Sequence, residues 1–345
     1  MQPDRNIKKI LIIGRLYPDS FAENIAVTLK NMGYLTAVFS LDPFVNTFKA
    51  NLRILNLKIL SGYAKRMFPA IENYFSKKLV KKTIDFKPDL VISTESMIPP
   101  NAITEIKKQT GAAAACWFTD HIANLDRQYI LASPYDIIFT KEPFMADLFR
   151  KKLGKNTFYL PEACNPVWHK ITDLSDEEKR HFGCDLNITG NMYYYRALIL
   201  ENFMDCDIKI WGPVFSKWLD SPTRKFFQNE YLMKEKKAKA FRAAKISLNL
   251  MYYAEIYGVN CRTFEIAGCG GFQITDSKPA LKDLFEIDKE IVVFETLKEL
   301  KEKVTYYLSH EKERNEIALR GYERAHRDHT YEQRLKTILR EVNNL

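Results

Sequence analysis

A chain of 345 residues exceeds what one hydrophobic core comfortably serves, so we expect two domains of ordinary size. Hydrophobic residues make up 46% and charged residues 28%, a globular composition that excludes a wholly disordered protein. The 52 Lys and Arg against 43 Asp and Glu give a net charge of +9. This surplus suits an anionic ligand, nucleic acid or an acidic membrane surface and does not choose among them.

In the first 142 residues, apolar runs typical of buried strands alternate with helical patterns. This alternation predicts a parallel α/β sheet with helices on both faces, whose ligands bind beyond the carboxyl ends of the strands. The predicted strands are 8–15, 34–40, 89–96, 112–120 and 135–142, and the predicted helices are 20–33, 63–86 and 100–111. The residues at the strand ends are Gly14, Arg15, Thr94, Glu95, Thr119, Asp120, His121 and 140–142.

Residues 159–183 break this rhythm with two prolines and a polar stretch, which indicates an interdomain link. A second α/β set follows, so the sequence predicts two doubly wound domains enclosing a cleft. We expect a first domain over 1–165, a second over 166–328, and a closing helix over 329–345 that packs back on the first. The predicted strands of the second set are 186–191, 208–212, 244–252, 270–275 and 290–295, and the helices are 235–245, 297–309 and 331–342.

The stretch "YGVNCRTFEIAGCGG" (257–271) predicts a two-turn helix that starts near Cys261 and stops at a glycine pair. A helix start attracts phosphate and disfavours a cation, so Arg262 suggests a phosphate partner or an ion pair with a nearby carboxylate. Glu265 lies one turn later, where a carboxylate can accept the hydroxyls of a ribose. On spacing alone, an ion pair between Arg262 and Glu265 explains the pattern equally well.

This stretch resembles the nucleotide-sugar site of GT-B glycosyltransferases, and more narrowly that of the CgeB-like (spore maturation protein) family. Other segments are similar to that family too, and together the resemblance covers most of residues 115–340. They are "CWFTD", "LPEACNP", "ITGNMYYYR", "IKIWGPVF", "AKISLNL" and "HTYEQRL".

The resemblance implies a GT-B fold of two Rossmann-like domains and transfer of a sugar from a nucleotide-diphosphate donor to an acceptor held by the first domain. Glu265 would bind the donor ribose, and the diphosphate would lie near the remaining residues of the second domain. No cofactor and no metal ion are expected, because GT-B enzymes stabilise the leaving group with cations and helix starts. The implied nucleotide-sugar residues are Gly14, Gly190, Asn191, Arg196, Trp211, Gly212, Asn260, Arg262 and Glu265.

Two details bear on this reading. Many retaining GT-B enzymes carry a second glutamate eight positions before the ribose-binding one, but that position here is Tyr257, and Glu255 is out of register. Donor sugar recognition and stereochemistry are therefore undefined. The run "DCD" (205–207) looks like a metal-binding Asp-x-Asp, but its place before a strand favours a turn.

The first domain offers the candidate catalytic base. Asp120 and His121 follow a buried strand, and Glu95 ends a neighbouring one. A carboxylate or imidazole at such a place could take the proton of the acceptor. The alternatives are that Asp120 only caps the next segment, and that His121 contacts the donor sugar or has no role.

Other functions are compatible with the same sequence. An epimerase of nucleotide sugars on the same fold and a non-catalytic binding protein are the alternatives, and Tyr257 is the best support for the latter. The acceptor is a protein, a glycan or a lipid-linked molecule. The basic run at 76–87 allows peripheral contact with an anionic membrane, or is simply a solvated helix face, and Tyr193, Tyr194 and Tyr195 could stack on a base or sugar. Nucleic-acid binding ranks last, since no recognition motif appears.

The compartment follows from the cysteines and from the apolar runs. The six cysteines form no C-x-x-C pair and have no histidines at zinc spacing, which favours a reducing, cytoplasmic location. The opening run "ILIIG" is too short for a signal peptide. No stretch approaches the roughly 20 apolar residues that span a bilayer.

Overall fold

The computed structural model describes residues 6–40, 68–121, 125 and 128–345. The chain divides into two compact units. Unit 1 comprises Met1–Leu160 and Arg334–Leu345, and unit 2 comprises Pro161–Gln333. The domain boundaries expected at residues 165 and 328 lie close to these divisions and remain predictions.

Unit 1 is built on a parallel sheet of six strands in the order β2-β1-β3-β4-β5-β6 within the described residues. The strands are β1 (Lys9–Ile13), β2 (Leu35–Phe39), β3 (Leu90–Ser93), β4 (Ala113–Phe118), β5 (Ile137–Thr140) and β6 (Thr157–Tyr159). The helices are α1 (Phe21–Asn31), α2 (Pro69–Phe86), α3 (Pro100–Thr110), α4 (Tyr129–Ala132) and α5 (Pro143–Leu153).

The local sequence explains these elements. Every residue of β4 is buried, as its unbroken apolar run requires of a strand covered on both faces. Helix α1 starts at Ser20, whose hydroxyl accepts the Glu23 backbone N–H. Helix α3 begins with Pro100 and ends at Gly111 in the left-handed conformation. These signals fix where the chain turns, and so where the strand ends lie.

Unit 2 has a parallel sheet of five strands in the order β11-β10-β9-β7-β8. Two short 3₁₀ turns, Glu201–Phe203 and Pro222–Phe226, flank β8. The strands are β7 (Leu186–Thr189), β8 (Ile208–Trp211), β9 (Ile246–Asn249), β10 (Gln273–Asp276) and β11 (Val292–Phe294). The helices are α6 (Asp176–Phe182), α7 (Tyr194–Leu200), α8 (Lys234–Ala243), α9 (Arg262–Gly268), α10 (Leu281–Leu284), α11 (Leu297–Ser309), α12 (Glu311–Asp328) and α13 (Tyr331–Asn343), which continues into the last residues of unit 1.

Both sheets reverse their strand order once. The reversal falls between β1 and β3 in unit 1 and between β7 and β9 in unit 2. Ligands of open α/β sheets bind at such switch points, beyond the carboxyl ends of the strands. The topology therefore directs attention to the loops after these four strands.

The predicted fold class is confirmed, and the differences are local. Within the segment 159–183, which was interpreted as the interdomain link, the structure has helix α6, which Ser175 and Glu178 cap reciprocally. Strand β6 and helices α5 and α12 were not predicted either. Residues 63–67 of the predicted basic helix lie outside the described residues. None of the helices in the described part of the chain is long and apolar enough to cross a bilayer.

Candidate functional site

Asn249, the last residue of β9, organises the switch point of unit 2. Its buried side chain donates from Nδ2 to Thr263 Oγ1 over 3.1 Å. Its Oδ1 accepts from Asn260 Nδ2 at 2.9 Å and from Arg262 Nε at 3.3 Å. A single buried amide therefore ties the end of the strand to the start of α9.

Asn260, expected near a diphosphate, is engaged within the protein. Besides its bond to Asn249, its Oδ1 accepts the Thr263 backbone N–H at 3.2 Å. This contact satisfies one of the free N–H groups of the helix start. Asn260 thus shapes the site through the conformation of α9.

Arg262 points along the edge of the sheet toward the loop after β7. A Cβ built on Gly190 would lie 2.8 Å from Arg262 Nη1, so a larger residue at 190 would require this guanidinium to shift. Gly190 also has a φ of +106°, which other residues rarely adopt. Among the described residues no carboxylate pairs with Arg262, so the ion pair with Glu265 that the spacing allows is not formed.

Arg196 is a second guanidinium at the same place, and it is buried. Nε donates to the Leu250 carbonyl at 2.9 Å and Nη2 to the same oxygen at 2.5 Å, while Nη1 donates to the Asn191 carbonyl at 2.8 Å. Burial, and then the charge of Arg262, lower the pKa of Arg196, which stays protonated at neutral pH. Arg196 therefore holds two loops together and adds positive potential without facing solvent.

Glu265 is paired with a residue that the sequence analysis did not select. Lys237 Nζ of α8 lies 2.8 Å from Glu265 Oε1, and the side chains are only 12% and 8% exposed. His169 Nε2 lies 3.9 Å from the same oxygen, and its Nδ1 accepts the Asn165 backbone N–H. Lys237 thus orients the carboxylate by a hydrogen-bonded ion pair, and the His169 imidazole lies close by.

The small residues after Glu265 let α9 approach the segment that carries His169. A Cβ on Gly268 would lie 2.7 Å from Cys164 Cβ and 3.4 Å from His169 Cβ. A larger residue at 268 would push this segment away from α9. The "AGCGG" pattern therefore has a packing cause, and the packing sets the distance from His169 to Glu265.

The other predicted residues of unit 2 contribute through the backbone. Trp211 is buried against Phe182 and Leu232, so its ring belongs to the core of the unit. Gly212 lies against the Gly190 carbonyl, because a Cβ added to Gly212 would be 2.5 Å from that oxygen. Asn191 is exposed and holds Arg196 with its carbonyl oxygen.

In unit 1, Gly14 and Glu95 lie at the switch point between β1 and β3. Gly14 packs on Thr94, since a Cβ added to Gly14 would lie 2.3 Å from Thr94 Oγ1. This close packing agrees with the alternative that Gly14 only forms a tight turn. Glu95 Oε1 accepts the Arg15 backbone N–H at 3.2 Å and lies 3.6 Å from Arg15 Nε. A Glu95 engaged in this way is a weaker candidate for a proton acceptor.

Asp120 and His121 follow β4, the next strand of the same sheet. Asp120 is exposed, and its Oδ1 accepts the His121 backbone N–H at 2.8 Å. His121 is buried. The contact matches the turn-capping alternative.

The structure shows the surroundings of Tyr257, of Glu255 and of the Asp-Cys-Asp run at 205–207. Tyr257 is half exposed, and its carbonyl accepts the Ala280 N–H. Glu255 is buried, and its charge acts on the pKa of Arg196 and Tyr193. Residues 205–207 form the turn before β8, at the edge of the sheet opposite to Arg262.

Three residues of this site, His169, Lys237 and Asn249, were missed by the sequence analysis. Asn249 had a signal, since it is one of the two polar residues, with Ser247, in the otherwise apolar run "ISLNLM". Lys237 had none, because it is one of several lysines in "KEKKAKAF". Only the packing of α8 on α9 distinguishes it.

Comparison with known proteins supports the predicted fold. Residues 196–340 match a family model described as glycosyl transferase-like. Spore protein CgeB of Bacillus subtilis (strain 168) is 24% identical over 256 residues, which are 69% of this chain and 77% of that protein. A glycosyltransferase from Rickettsia africae ESF-5 superposes with a TM-score of 0.68 at 12% identity, covering 98% of each chain. Anabaena HepE in complex with UDP-glucose gives 0.65 at 11% identity, covering 98% of this chain and all of that one.

The chain has the fold of the GT-B glycosyltransferases, and its residues 196–340 match the glycosyl transferase-like family model. The chain is similar to Spore protein CgeB, so the resemblance to the CgeB-like family that its motifs indicate is confirmed.

Proposed function

We propose that the chain transfers a glycosyl group from a nucleoside-diphosphate sugar, and that unit 2 binds this donor at its switch point. The observation that carries the proposal is the guanidinium of Arg262, which lies against Gly190 at the carboxyl edge of the sheet without a carboxylate partner in the described residues. Support also comes from Anabaena HepE, whose structure holds UDP-glucose.

Arg262 suits the diphosphate because its one hydrogen bond within the described part of the chain uses Nε, which leaves the terminal nitrogens for phosphate oxygens. The buried charge of Arg196 raises the positive potential at the same place. A bound diphosphate would relieve the repulsion between the two guanidinium groups. In this proposal the departing diphosphate is stabilised by Arg262 and not by a metal ion.

Glu265 is assigned to the donor ribose. A carboxylate offers about four lone pairs, so one that Lys237 and His169 orient can also accept ribose hydroxyls. Lys237 and His169 then act as positioning residues. Asp120 is the preferred candidate for the catalytic base in unit 1, followed by His121 and then Glu95, because Glu95 already pairs with Arg15.

The first test is calorimetric titration with UDP, GDP, dTDP, CDP and ADP. One diphosphate should bind, and Arg262→Ala and Glu265→Ala should each weaken it by roughly 1.5–3 kcal/mol, which is about ten- to a hundredfold in Kd. Arg180→Ala removes an exposed arginine of α6 and is the charge-matched control, with no change expected. If no diphosphate binds, or if Arg262→Ala binds as wild type does, the proposed donor site is wrong.

Product analysis then separates the enzymes that share this fold. A glycosyltransferase releases the nucleoside diphosphate in proportion to the glycosylated acceptor. A sugar rearranged without acceptor indicates an epimerase, and tight binding without any turnover indicates a binding protein.

We further propose that the reaction is cytoplasmic and that α2 meets anionic lipid. All six cysteines are free thiols, which suits a reducing compartment. Lys77, Lys78, Lys81 and Lys82 are exposed along α2. Sedimentation with phosphatidylglycerol vesicles should be lost when Lys77 and Lys78 are replaced by Glu, and unchanged sedimentation would exclude α2 as the contact.

A further inference from the structure

Four large aromatic side chains, which we call the aromatic face, stand on the loops at the carboxyl edge of unit 2. Tyr194 and Tyr195 begin α7 after β7, Trp218 follows β8, and Tyr253 follows β9. These are the strand ends that also carry Gly190 and Asn249. The aromatic face therefore borders the donor site proposed above.

Hydrogen bonds fix two of these rings, and each packs on one of the other two. The Tyr194 hydroxyl donates to the Trp218 carbonyl at 3.1 Å, and the two ring centroids are 5.9 Å apart. The Tyr195 hydroxyl donates to Asp276 Oδ1 at 3.0 Å, and its ring lies 6.4 Å from that of Tyr253. Rings held this way lose little freedom when a ligand stacks on them.

The face is nevertheless exposed: Trp218 is 64% and Tyr253 65% accessible. Ordered aromatic surface of this kind marks a binding site more often than scattered apolar residues do. Its rings alternate with hydroxyl groups and the Asp276 carboxylate. A ligand that matches it needs apolar faces together with hydroxyl-rich edges.

We propose that the aromatic face binds a glycan, a carbohydrate chain that unit 2 holds beside the donor site. This inference rests on the proposed function. A pyranose ring presents a face of C–H bonds to an aromatic ring, while its hydroxyls project toward polar groups at the rim.

The arrangement of the rings favours a chain of sugars over a single nucleobase. Tyr194 and Tyr195 are consecutive in a helix, so their side chains leave it about 100° apart. The pair Tyr194–Trp218 and the pair Tyr195–Tyr253 thus face different directions. One base can stack on one pair, whereas an oligosaccharide can follow both.

The tryptophans provide a direct assay. Of the chain's four, Trp117, Trp168 and Trp211 are buried, and Trp218 is exposed. Quenching of tryptophan fluorescence by iodide therefore reports on Trp218. The probes are cellohexaose, maltohexaose, chitohexaose and, separately, the nucleoside diphosphate found by calorimetry.

We expect one hexasaccharide to protect Trp218 from iodide and the diphosphate alone to leave it accessible. Tyr253→Ala should weaken the hexasaccharide by about tenfold. Trp218→Phe should abolish the signal and keep calorimetric binding, because a ring remains. Nucleotide affinity should stay unchanged in both variants.

Two results would overturn the glycan proposal. The first is protection by the diphosphate alone, which would assign the face to the nucleobase. The second is failure of all three hexasaccharides to protect Trp218. Neither result affects the titrations of Arg262→Ala, so the glycan surface and the donor site succeed or fail separately.

Discussion

Lys237 Nζ lies 2.8 Å from Glu265 Oε1, and this contact joins α8 to the first turn of α9 inside unit 2. Both side chains are largely withdrawn from water, so each charge depends on the other for compensation. The carboxylate proposed to bind ribose is therefore held by a lysine that lies 28 positions earlier in the chain.

Replacing Lys237 by Met should leave the Glu265 carboxylate buried without its cation. We expect a loss of about 2–4 kcal/mol in the free energy of unfolding, measured by urea denaturation. Lys236→Met is the control, because Lys236 forms an ion pair of 2.7 Å with Glu230 while 67% exposed. It should cost less than about 1 kcal/mol. Equal losses in the two variants would show that the burial of the first pair does not matter.

Gly190→Ala should disturb both the backbone and Arg262. The new methyl group would lie 2.8 Å from Arg262 Nη1 at a φ of +106°, so we expect a loss of about 1–3 kcal/mol in stability and weaker binding of the diphosphate. Gly33→Ala places the same methyl at a φ of +90° with nothing within 4 Å. The control should share the backbone cost and bind the diphosphate normally. Normal binding by Gly190→Ala as well would separate Arg262 from the donor.

Asp276 predicts a pH dependence of stability. Burial raises the pKa of its carboxyl above the ordinary value of 3.8, although the Met251 N–H and the Tyr195 hydroxyl act in the opposite direction. The folded chain therefore holds more protons than the unfolded chain between pH 3.8 and the raised pKa. The contribution of Asp276 to the free energy of unfolding therefore falls as the pH rises through that window, and it stays low at higher pH.

Urea denaturation from pH 3.5 to 7.5 in wild type and Asp276→Asn tests this sign. The difference in stability should shift in favour of the Asn variant as the pH rises through the window. Tyr195→Phe removes the hydroxyl that lowers the pKa of Asp276, so its window should extend to higher pH. A difference that is flat with pH in both variants would contradict the assignment.

Much of the fold could be predicted because buried parallel strands leave a strong local pattern. The apolar runs at β1, β4 and β9 show it, and the cap of α1 and the stop of α3 are written in adjacent residues. Strand β6 has three residues next to Pro161, which is too short for such a pattern. Helix α6 was lost among charged residues although its capping box is present in the sequence.

The site was predictable in its location and less so in its connections. Arg262 and Glu265 stand out in the sequence, but their three-residue spacing suggested a mutual pair. The observed partners, Asn249 and Lys237, come from β9 and α8. Partners from other helices and strands are set by tertiary packing, which a single sequence does not reveal.

Arg196 has a consequence for any attempt to change the donor. Its guanidinium donates hydrogen bonds to the main-chain oxygens of Asn191 and Leu250. These bonds link the segment after β7 to the segment after β9. Replacing either segment alone by that of another enzyme would break these hydrogen bonds. A change of donor preference should therefore require that both segments be replaced together, along with Arg196.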